Sequence, residues 1–410
     1  MTAAARPSMR RGACPGLSAP MQTGDGLLAR LLPTGTITLD AMANLAAAAL
    51  RYGNRIIEIT SRGSIQVRGL TRESAPAFAD AVAELAIPAH DGMPVIADPL
   101  AGIDPHQVID ANRLAAALRA ALAEQSFAAR LAPKISVAID GGGALHLDAL
   151  PADIRLRAVA AAGGPRLHVS AGGDAASAVS LGTIARADAI DTVVRLLHEI
   201  ATHGPDARAR DVIRGATAGA SAPAREPADP IGPHRLRRDK VAVGIGFPFG
   251  HTDTTLLKSL LRAAREAGAT GVRTAPGRAL LVVGLTRPDA ELFTAAARRL
   301  DFIVEPRDPR RRLIACAGAP ICASGEIEAR ALAREVAREG ISLLKRNETI
   351  HISGCAKGCA YQGVATLTAV GRDGACDLFV EGAPAGSCES WQLPRRLGQI
   401  VFDRLPKPKS

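Results

Sequence analysis

Four cysteines in the last quarter of the chain could together bind a metal or an iron–sulfur centre. Cys316 and Cys322 form a C-x5-C pair, and Cys355 and Cys359 form a C-x3-C pair. Glycine or proline lies beside both pairs, so each is expected on a turn where backbone N–H groups can approach the sulfurs. Four thiolates from two short loops are the ligand set of a 4Fe-4S cluster.

Two other interpretations of these cysteines stay open at this point. Free cysteines are often buried in a hydrophobic core, where they bind nothing. Zinc is the nearer alternative, although its loops usually have the shorter C-x2–4-C spacing. Disulfides are not expected, because the first residues of the chain lack the apolar core of a secretory signal. The remaining cysteines, Cys14, Cys376 and Cys388, are expected to be structural.

The composition argues against several classes of protein. The 410 residues carry a net charge of +10 and a pI near 9.7, a surplus that is usual in proteins binding nucleic acids. However, the sequence has no known nucleic-acid motif, and aromatic residues that could stack on bases are scarce. It also has no apolar stretch of about 18 residues. We therefore expect a cytoplasmic protein of two to three domains, with neither a membrane nor a nucleic-acid partner.

The chain repeats itself at a constant offset. Pro33 and Gly35 recur as Pro248 and Gly250, and the tetrapeptide G-L-T-R that begins at Gly69 recurs at the same distance downstream of the second pair. A shared register over this span indicates a duplication.

Each copy is predicted to form a strand, a helix, a strand hairpin and a second helix. Residues 204–233 lack periodicity and are rich in Ala, Pro and Gly, so they are predicted to be a linker. The predicted elements are 26–32, 39–51, 55–67 and 75–85 in the first copy, 241–247, 256–267, 271–283 and 289–300 in the second, and a helix at 326–339 and a strand at 349–353 between the cysteine pairs.

The C-x5-C and C-x3-C spacing resembles that of the nitrite/sulfite reductase superfamily, whose members contain sirohaem and an iron–sulfur cluster. The resemblance implies an α+β fold with a duplicated architecture: two ferredoxin-like half-domains and two α/β cofactor-binding domains, related by pseudo-two-fold symmetry. The corresponding ranges are 1–95 (first half-domain), 96–203 (first α/β domain), 204–235 (linker), 236–305 (second half-domain) and 306–405 (second α/β domain).

The resemblance also implies the cofactors. In that superfamily four such cysteines hold a 4Fe-4S cluster, and the last of them, here Cys359, bridges the cluster to the iron of sirohaem. Sirohaem and the precorrins carry many carboxylates, so the surplus of arginine in this chain is expected to bind them.

Several basic residues are candidate ligands by the same resemblance. The segment around Arg62 resembles a strand motif whose arginine contacts sirohaem, although a solvated hairpin turn with Gly63 at positive φ is the alternative. Arg55 and Arg68 are further cofactor-binding candidates, by alternation along that hairpin. Arg30, expected to face the distal side of the tetrapyrrole, is a candidate catalytic residue, since an arginine in an apolar strand is costly unless a polar cavity receives it.

The sequence departs from the superfamily pattern, and one departure argues against an inorganic anion as the substrate. Reductases carry two lysines at i and i+2 of one strand, both facing sulfite or nitrite. Here Lys134, the second candidate catalytic residue, is present, but Ser136 takes the place of the second lysine. Reductases also commonly have Pro-Asn between the last two cysteines. This chain has Lys357 there, which beside a cluster would raise the reduction potential unless it is solvated.

The N-terminal segment around Cys14 and the segment 22–27 resemble the branch of the superfamily that acts in aerobic cobalamin biosynthesis. This resemblance implies oxidation of precorrin-3A by O2, with reducing equivalents from NADH or from an electron-donor protein. A sulfite or nitrite reductase is the first alternative, and an electron carrier that only holds a cluster is the second.

Overall fold

The computed structural model describes residues 15–213, 222–339, 348–361 and 363–403. These ranges form four β-sheets with helices packed on them, and the sheets alternate along the chain between antiparallel and mixed ones. Within them, no helix is both long and apolar enough to cross a lipid bilayer. Cys14, one of the cysteines expected to be structural, lies outside the described residues.

The first half-domain is an antiparallel sheet of strand order β1-β2-β4-β3, with β5 added beside β2. Its two helices cover one face, because their apolar residues recur at helical spacing. The elements are β1 (Met21–Thr23), β2 (Gly26–Pro33), α1 (Leu39–Tyr52), β3 (Ile56–Ile59), β4 (Ile65–Leu70), α2 (Ser74–Ala83) and β5 (Ala89–His90).

The second half-domain repeats this plan with strand order β11-β12-β15-β14. The elements are β11 (Gly232–Arg235), β12 (Val241–Gly246), β13 (His251–Asp253), α6 (Thr254–Glu266), β14 (Gly271–Ala275), β15 (Ala279–Leu285) and α7 (Arg287–Arg299).

The two half-domains interlock through equivalent backbone pairings. Thr252 in β13 pairs with Ile57 in β3, and Ile37 pairs with Val272 in β14. The offset between the copies makes Ile37 equivalent to Thr252 and Ile57 equivalent to Val272, so the two pairings are related by the pseudo-two-fold axis. The predicted duplication is therefore visible as hydrogen bonds that join the copies.

The helices α1 and α6 begin at equivalent N-caps and share one core. The side chain of Thr38 accepts a hydrogen bond from the backbone of Ala41, and Asp253, the equivalent residue of the second copy, caps α6 through the backbone of its first turn. Met42 and Leu45 of α1 are buried in the same cluster as residues of α6. This shared core holds the two halves as one body.

The two α/β domains also share a topology. In each sheet, three parallel strands are followed by two antiparallel ones, in the orders β6-β7-β8-β9-β10 and β16-β17-β18-β19-β20. The first contains β6 (Val95–Ala97), α3 (Ala111–Ala123), β7 (Val137–Asp140), β8 (Ala152–Val159), β9 (Arg166–Gly173), β10 (Val179–Ala185), α4 (Ala189–Thr202) and α5 (Ala209–Val212). The second contains β16 (Leu313–Ala315), α8 (Ala329–Glu339), β17 (Ile350–Ser353), β18 (Leu367–Arg372), β19 (Ala375–Val380), β20 (Ala383–Glu389) and α9 (Leu393–Asp403).

The structure differs from the predicted elements in several places. The short helix α5 lies inside the predicted linker, and the short strand β13 lies where none was predicted. The end of the predicted linker is the edge strand β11, whose Pro233 is tolerated because only one side pairs, with β12. The predicted helix at 326–339 begins only at Ala329, and the backbone N–H of Glu326 donates to the carbonyl of Gly354. The pairing of β11 with β12 and the hydrogen bond of Glu326 both join distant parts of the chain, so local patterns do not predict them.

Candidate metal centre and its cavities

The two cysteine loops meet at one edge of the last sheet. Cys316 directly follows β16, and Cys355 lies two residues after the end of β17. These strands are parallel neighbours, so their carboxyl ends lie side by side, the position where α/β sheets bind ligands. The four predicted ligands are thus brought together from two separate stretches of sequence.

The local environment of the sulfurs suits thiolates that share a cluster. The backbone N–H of Gly354 donates to the sulfur of Cys316 at 2.9 Å. Burial raises the pKa of the Cys316 thiol, and the neighbouring Cys355 and Cys322 raise it further, whereas the backbone hydrogen bonds oppose the change. Burial and the same sulfur neighbourhood raise the pKa of Cys359. A metal that replaces the protons removes this repulsion.

The separation of the sulfurs does not fit zinc. A tetrahedral zinc with Zn–S bonds of about 2.3 Å holds its sulfurs about 3.8 Å apart. Among the described residues, the ligand group whose atoms all lie within 4.8 Å of one another is Asp140, His146 and Asp148, and no three of the four cysteine sulfurs meet this limit. Wider spacing suits a cluster, in which each thiolate binds a different iron.

A buried arginine near the cysteines has donors without partners. Arg330, in the first turn of α8, has a side chain that is 8% exposed and donates to Glu58 at 2.7 Å. Its Nε and Nη1 atoms have no hydrogen-bond partner among the described residues. Burial lowers the pKa of Arg330, whereas Glu58 and the Cys316 thiolate oppose that change. An anionic group bound at the cysteine loops would satisfy these donors.

A cavity of about 240 Å³ lies directly against the cysteine loops. Cys316 and Cys359 line one side, and Arg30, Arg68 and Arg278 are among the residues of the other. The same cavity is therefore lined by cationic donors and by two of the proposed cluster ligands. It therefore fits a polycarboxylate group beside the cluster.

Arg30 is held in this cavity by a hydrogen-bonded chain. With the Gln66 amide oriented to satisfy both of its neighbours, its oxygen accepts from Nε of Arg30 at 3.0 Å and its nitrogen donates to Glu58 at 3.1 Å. Glu58 in turn pairs with Arg330. The chain connects the candidate distal residue Arg30 to the buried arginine near Cys316.

Arg278 is a functional candidate that the sequence analysis missed. It lies at the hairpin between β14 and β15 with φ +64°, a backbone conformation that is uncommon for residues other than glycine. Gly250 makes room for it, because a Cβ there would press on the Arg278 side chain at 2.9 Å. Burial lowers the pKa of Arg278, with the Glu58 carboxylate opposing the change. Its guanidinium donates no hydrogen bond to any residue that the structure describes, so it is available to a carboxylate.

A second cavity, of about 520 Å³, adjoins the first and shares Arg30 with it. Arg62 and Lys134 line it, as predicted candidates, together with Arg208. Arg62 donates to the Pro151 carbonyl and to Oγ of Ser136, both at 2.9 Å. The serine at the position of the second reductase lysine therefore binds Arg62.

Two of the predicted basic ligands have other partners. Arg68 lines the smaller cavity, but its guanidinium makes two hydrogen bonds to Asp25, at 2.8 and 2.7 Å. Arg55 lines neither cavity. Its side chain is 56% exposed and lies 3.4 Å from Asp253, because Arg55 occupies the left-handed position that starts β3. Alternation along the hairpin does not reveal these partners, because Asp25 and Asp253 lie on other segments of the chain.

The remaining predicted residues divide between the loops and the sheet. Lys357 lies between Cys355 and Cys359, is exposed, and donates to Oγ of Ser324 at 2.8 Å, so it ties the second cysteine loop to the first. Cys376 and Cys388 lie opposite each other on β19 and β20, away from these loops, and both are free thiols.

The first α/β domain contains matching loops without cysteine. Asp98 and Asp104 have the same spacing as Cys316 and Cys322, and α3 begins as far after Asp98 as α8 begins after Cys316. The backbone N–H of Gly141 donates to Asp98 at 2.8 Å, just as a glycine N–H donates to the sulfur of Cys316. The frame of the loops is thus duplicated, whereas the thiol ligands occur in one copy.

Comparisons with known proteins give relatives along most of the chain. Residues 19–85 match the family described as the nitrite/sulfite reductase ferredoxin-like half domain. A precorrin-3B synthase from a Sinorhizobium species is 40% identical over 404 residues, which cover 96% of this chain and 88% of the relative. A ferredoxin–nitrite reductase from Synechococcus elongatus is 28% identical over 446 residues, with 92% and 86% coverage.

The solved structure of the Mycobacterium tuberculosis NirA protein has the same fold. It superposes with a TM-score of 0.73, covering 94% of this chain and 82% of its own, at 19% sequence identity. Together with the interlocked half-domains, this likeness confirms the predicted α+β fold with its duplicated architecture.

Proposed function

The chain belongs to the precorrin-3B synthase family, within the nitrite/sulfite reductase superfamily, and we propose that it oxidises precorrin-3A with O2. It is an oxidoreductase. One oxygen atom of O2 enters the product as a hydroxyl group on a meso carbon, with closure of an acetate arm to a γ-lactone. The other oxygen is reduced to water by two electrons and two protons from NADH or an electron-donor protein.

The observation that carries this proposal is the cavity that Cys316 and Cys359 share with Arg30 and Arg278. A redox centre held by these cysteines would lie beside donors for carboxylates. Cys316, Cys322, Cys355 and Cys359 would hold a 4Fe-4S cluster, and the smaller cavity would bind the part of sirohaem nearest to the cluster. Together the two groups would supply single electrons for the reduction of O2. Triplet O2 reacts poorly with a closed-shell ring, so this reaction needs such a centre.

The chain's own residues bind and orient the tetrapyrroles. Arg278 presents a guanidinium, whose fork geometry matches a carboxylate. Arg30 is fixed by Gln66 at the boundary between the cavities, so it would contact both the cofactor and the substrate. Lys134 and Arg208 in the larger cavity would bind acetate or propionate arms of precorrin-3A. Closing the cavity around the ring would exclude water from it.

Reduction of sulfite or nitrite is the second candidate function, favoured by the 28% identity to a nitrite reductase over most of the chain. The hydrogen bond from Arg62 to Ser136 argues against it. A small anion needs several converging charges, and here the second position of the lysine pair carries a neutral hydroxyl that binds an arginine instead.

We predict that the anaerobically purified protein, given precorrin-3A, labelled O2 and a reductant, puts label into the hydroxy-lactone product. Mass spectrometry of the product is the measurement, and the same preparation is offered sulfite and nitrite in parallel. Turnover without O2, or rapid formation of sulfide or ammonia, would assign the chain to the reductases. A cluster that is reduced but supports none of these reactions would favour the electron carrier.

We further predict that Arg278→Met weakens sirohaem binding about 10- to 100-fold, because a hydrogen bond to a charged group contributes roughly 1.5–3 kcal/mol. The measurement is the dissociation constant during anaerobic reconstitution of the apoprotein. Arg262→Met removes the same charge from an exposed site on α6 and serves as the control. Equal constants for both variants would remove Arg278 from the site.

A further inference from the structure

The turn between β1 and β2 lies on the first cysteine loop. A Cβ added to Gly24 would overlap the sulfur of Cys322, and the Gly24 carbonyl accepts a hydrogen bond from the backbone of Ala323 at 2.8 Å. Gly24 does not adopt the left-handed conformation that favours glycine. Glycine is therefore required at this position for lack of space, because the backbone of Gly24 packs directly against the Cys322 sulfur.

A buried ion pair fixes this turn. The Asp25 side chain is 1% exposed and binds Arg68 through two hydrogen bonds, at 2.8 and 2.7 Å. It also accepts from Asn54 at 3.1 Å and from Thr23 at 2.8 Å. Burial pushes the pKa of Asp25 up, but the hydrogen bond and charge of Arg68 outweigh it, so the pKa lies below its ordinary value. A fully bonded carboxylate of this kind holds its turn in one position.

Arg68 joins the turn to the cavity. The same guanidinium that binds Asp25 lies 3.6 Å from Glu58 and lines the cavity of Cys316 and Cys359. On the other side of Cys322, Ser324 accepts from Lys357 and closes the gap between the two cysteine loops. The sulfur of Cys322 thus lies between the turn that Asp25 fixes and a loop that the hydrogen bond from Lys357 to Ser324 holds in place.

We infer that the turn at residues 23–26 is a shield that limits the access of solvent and small oxidants to the Cys322 corner of the cluster. Gly24 provides the close contact, and Asp25 with Arg68 provides the anchor. This inference rests on the proposed cluster. Such a shield has a chemical reason in an enzyme that uses O2, because exposure to solvent and oxidants is what removes iron from these centres.

The test is the rate at which a water-soluble iron chelator removes iron from the anaerobic protein, and the rate of bleaching in air. Gly24→Ala forces the turn and Cys322 apart, and Asp25→Asn weakens the anchor without touching the sulfur. Both rates are expected to rise roughly 5- to 100-fold, the range in which overpacking changes a local opening equilibrium. Gly163→Ala is the matched control, because nothing lies within 4 Å of a Cβ built at Gly163.

Each outcome decides a separate question. Faster iron loss in Gly24→Ala and Asp25→Asn, measured at a temperature at which circular dichroism shows both variants fully folded, with a wild-type rate in Gly163→Ala, supports the shield. If Gly24→Ala assembles no cluster, Asp25→Asn alone decides. Wild-type rates in both variants overturn the inference while leaving the proposed function intact. A wild-type protein that holds no iron overturns the proposed function instead.

Discussion

Substituting serine for Cys322 is expected to abolish the 4Fe-4S cluster. The serine hydroxyl is a hard, weakly acidic ligand that replaces the soft thiolate preferred by iron–sulfur centres. Three thiolates would remain, too few to give each iron of the cluster its own thiolate. We expect iron and acid-labile sulfide to fall to near zero, and the broad visible absorbance of the cluster to disappear.

Cys388→Ser is the control for this loss. Cys388 is a free, partly buried thiol on β20, opposite Cys376, and belongs to neither cysteine loop. The control variant should keep its full iron and sulfide content, and Cys14→Ser should do the same. Full cluster content in Cys322→Ser would contradict the ligand assignment, and with it the basis of the proposed function.

The sequence sufficed for the duplication and most of the elements. The constant offset between the copies predicted the repeated halves because it preserves the register of the helix starts, and the structure places N-caps at Thr38 and Asp253. The short strand β13 was not predicted, since three residues carry no periodicity. Its pairing with β3 depends on a contact between halves that are distant in the sequence.

The site was predictable where ligand spacing is local and unpredictable where partners are distant. The cysteine pairs are read from their spacing. Arg68 was predicted to bind the tetrapyrrole, yet it binds Asp25, 43 residues away, and no local pattern reveals that pairing. Arg278 could have been found by aligning the two copies, because it is the residue of the second copy that is equivalent to Gly63. An arginine at the glycine position of a turn is a strained choice that indicates function.

The pseudo-symmetric loop of the first α/β domain leads to a prediction about pH. Burial, together with the carboxylates of Asp140 and Asp104, raises the pKa of Asp98 to about 7, against the opposing effect of a hydrogen bond from Gly141. Arg273 is the nearby cation, and it donates to the carbonyls of Pro99 and Ala101. Asp98 thus occupies the position equivalent to Cys316 and holds a proton in the folded protein below about pH 7.

The sign of the effect follows from proton counting. The unfolded chain releases the Asp98 proton near pH 3.8, whereas the folded chain keeps it to about pH 7. Between these values the folded state binds more protons, so the free energy of unfolding falls as the pH rises. Each unit of pKa shift corresponds to about 1.4 kcal/mol, so the ionisation of Asp98 would lower the free energy of unfolding by up to about 4 kcal/mol across this window.

Asp98→Asn should therefore flatten the fall in stability between about pH 4 and pH 7, because the amide oxygen can still accept from Gly141 but carries no titrating proton. The free energy of unfolding of the variant, relative to that of the wild type, should rise by up to about 4 kcal/mol between about pH 4 and pH 7. Urea denaturation at a series of pH values is the measurement, and Asp80→Asn, on the exposed face of α2, is the control. Parallel curves for Asp98→Asn and the wild type would show that Asp98 is ionised in the folded protein. In that case its charge must be neutralised by Arg273, and the first loop would resemble the cluster loop in charge as well as in backbone.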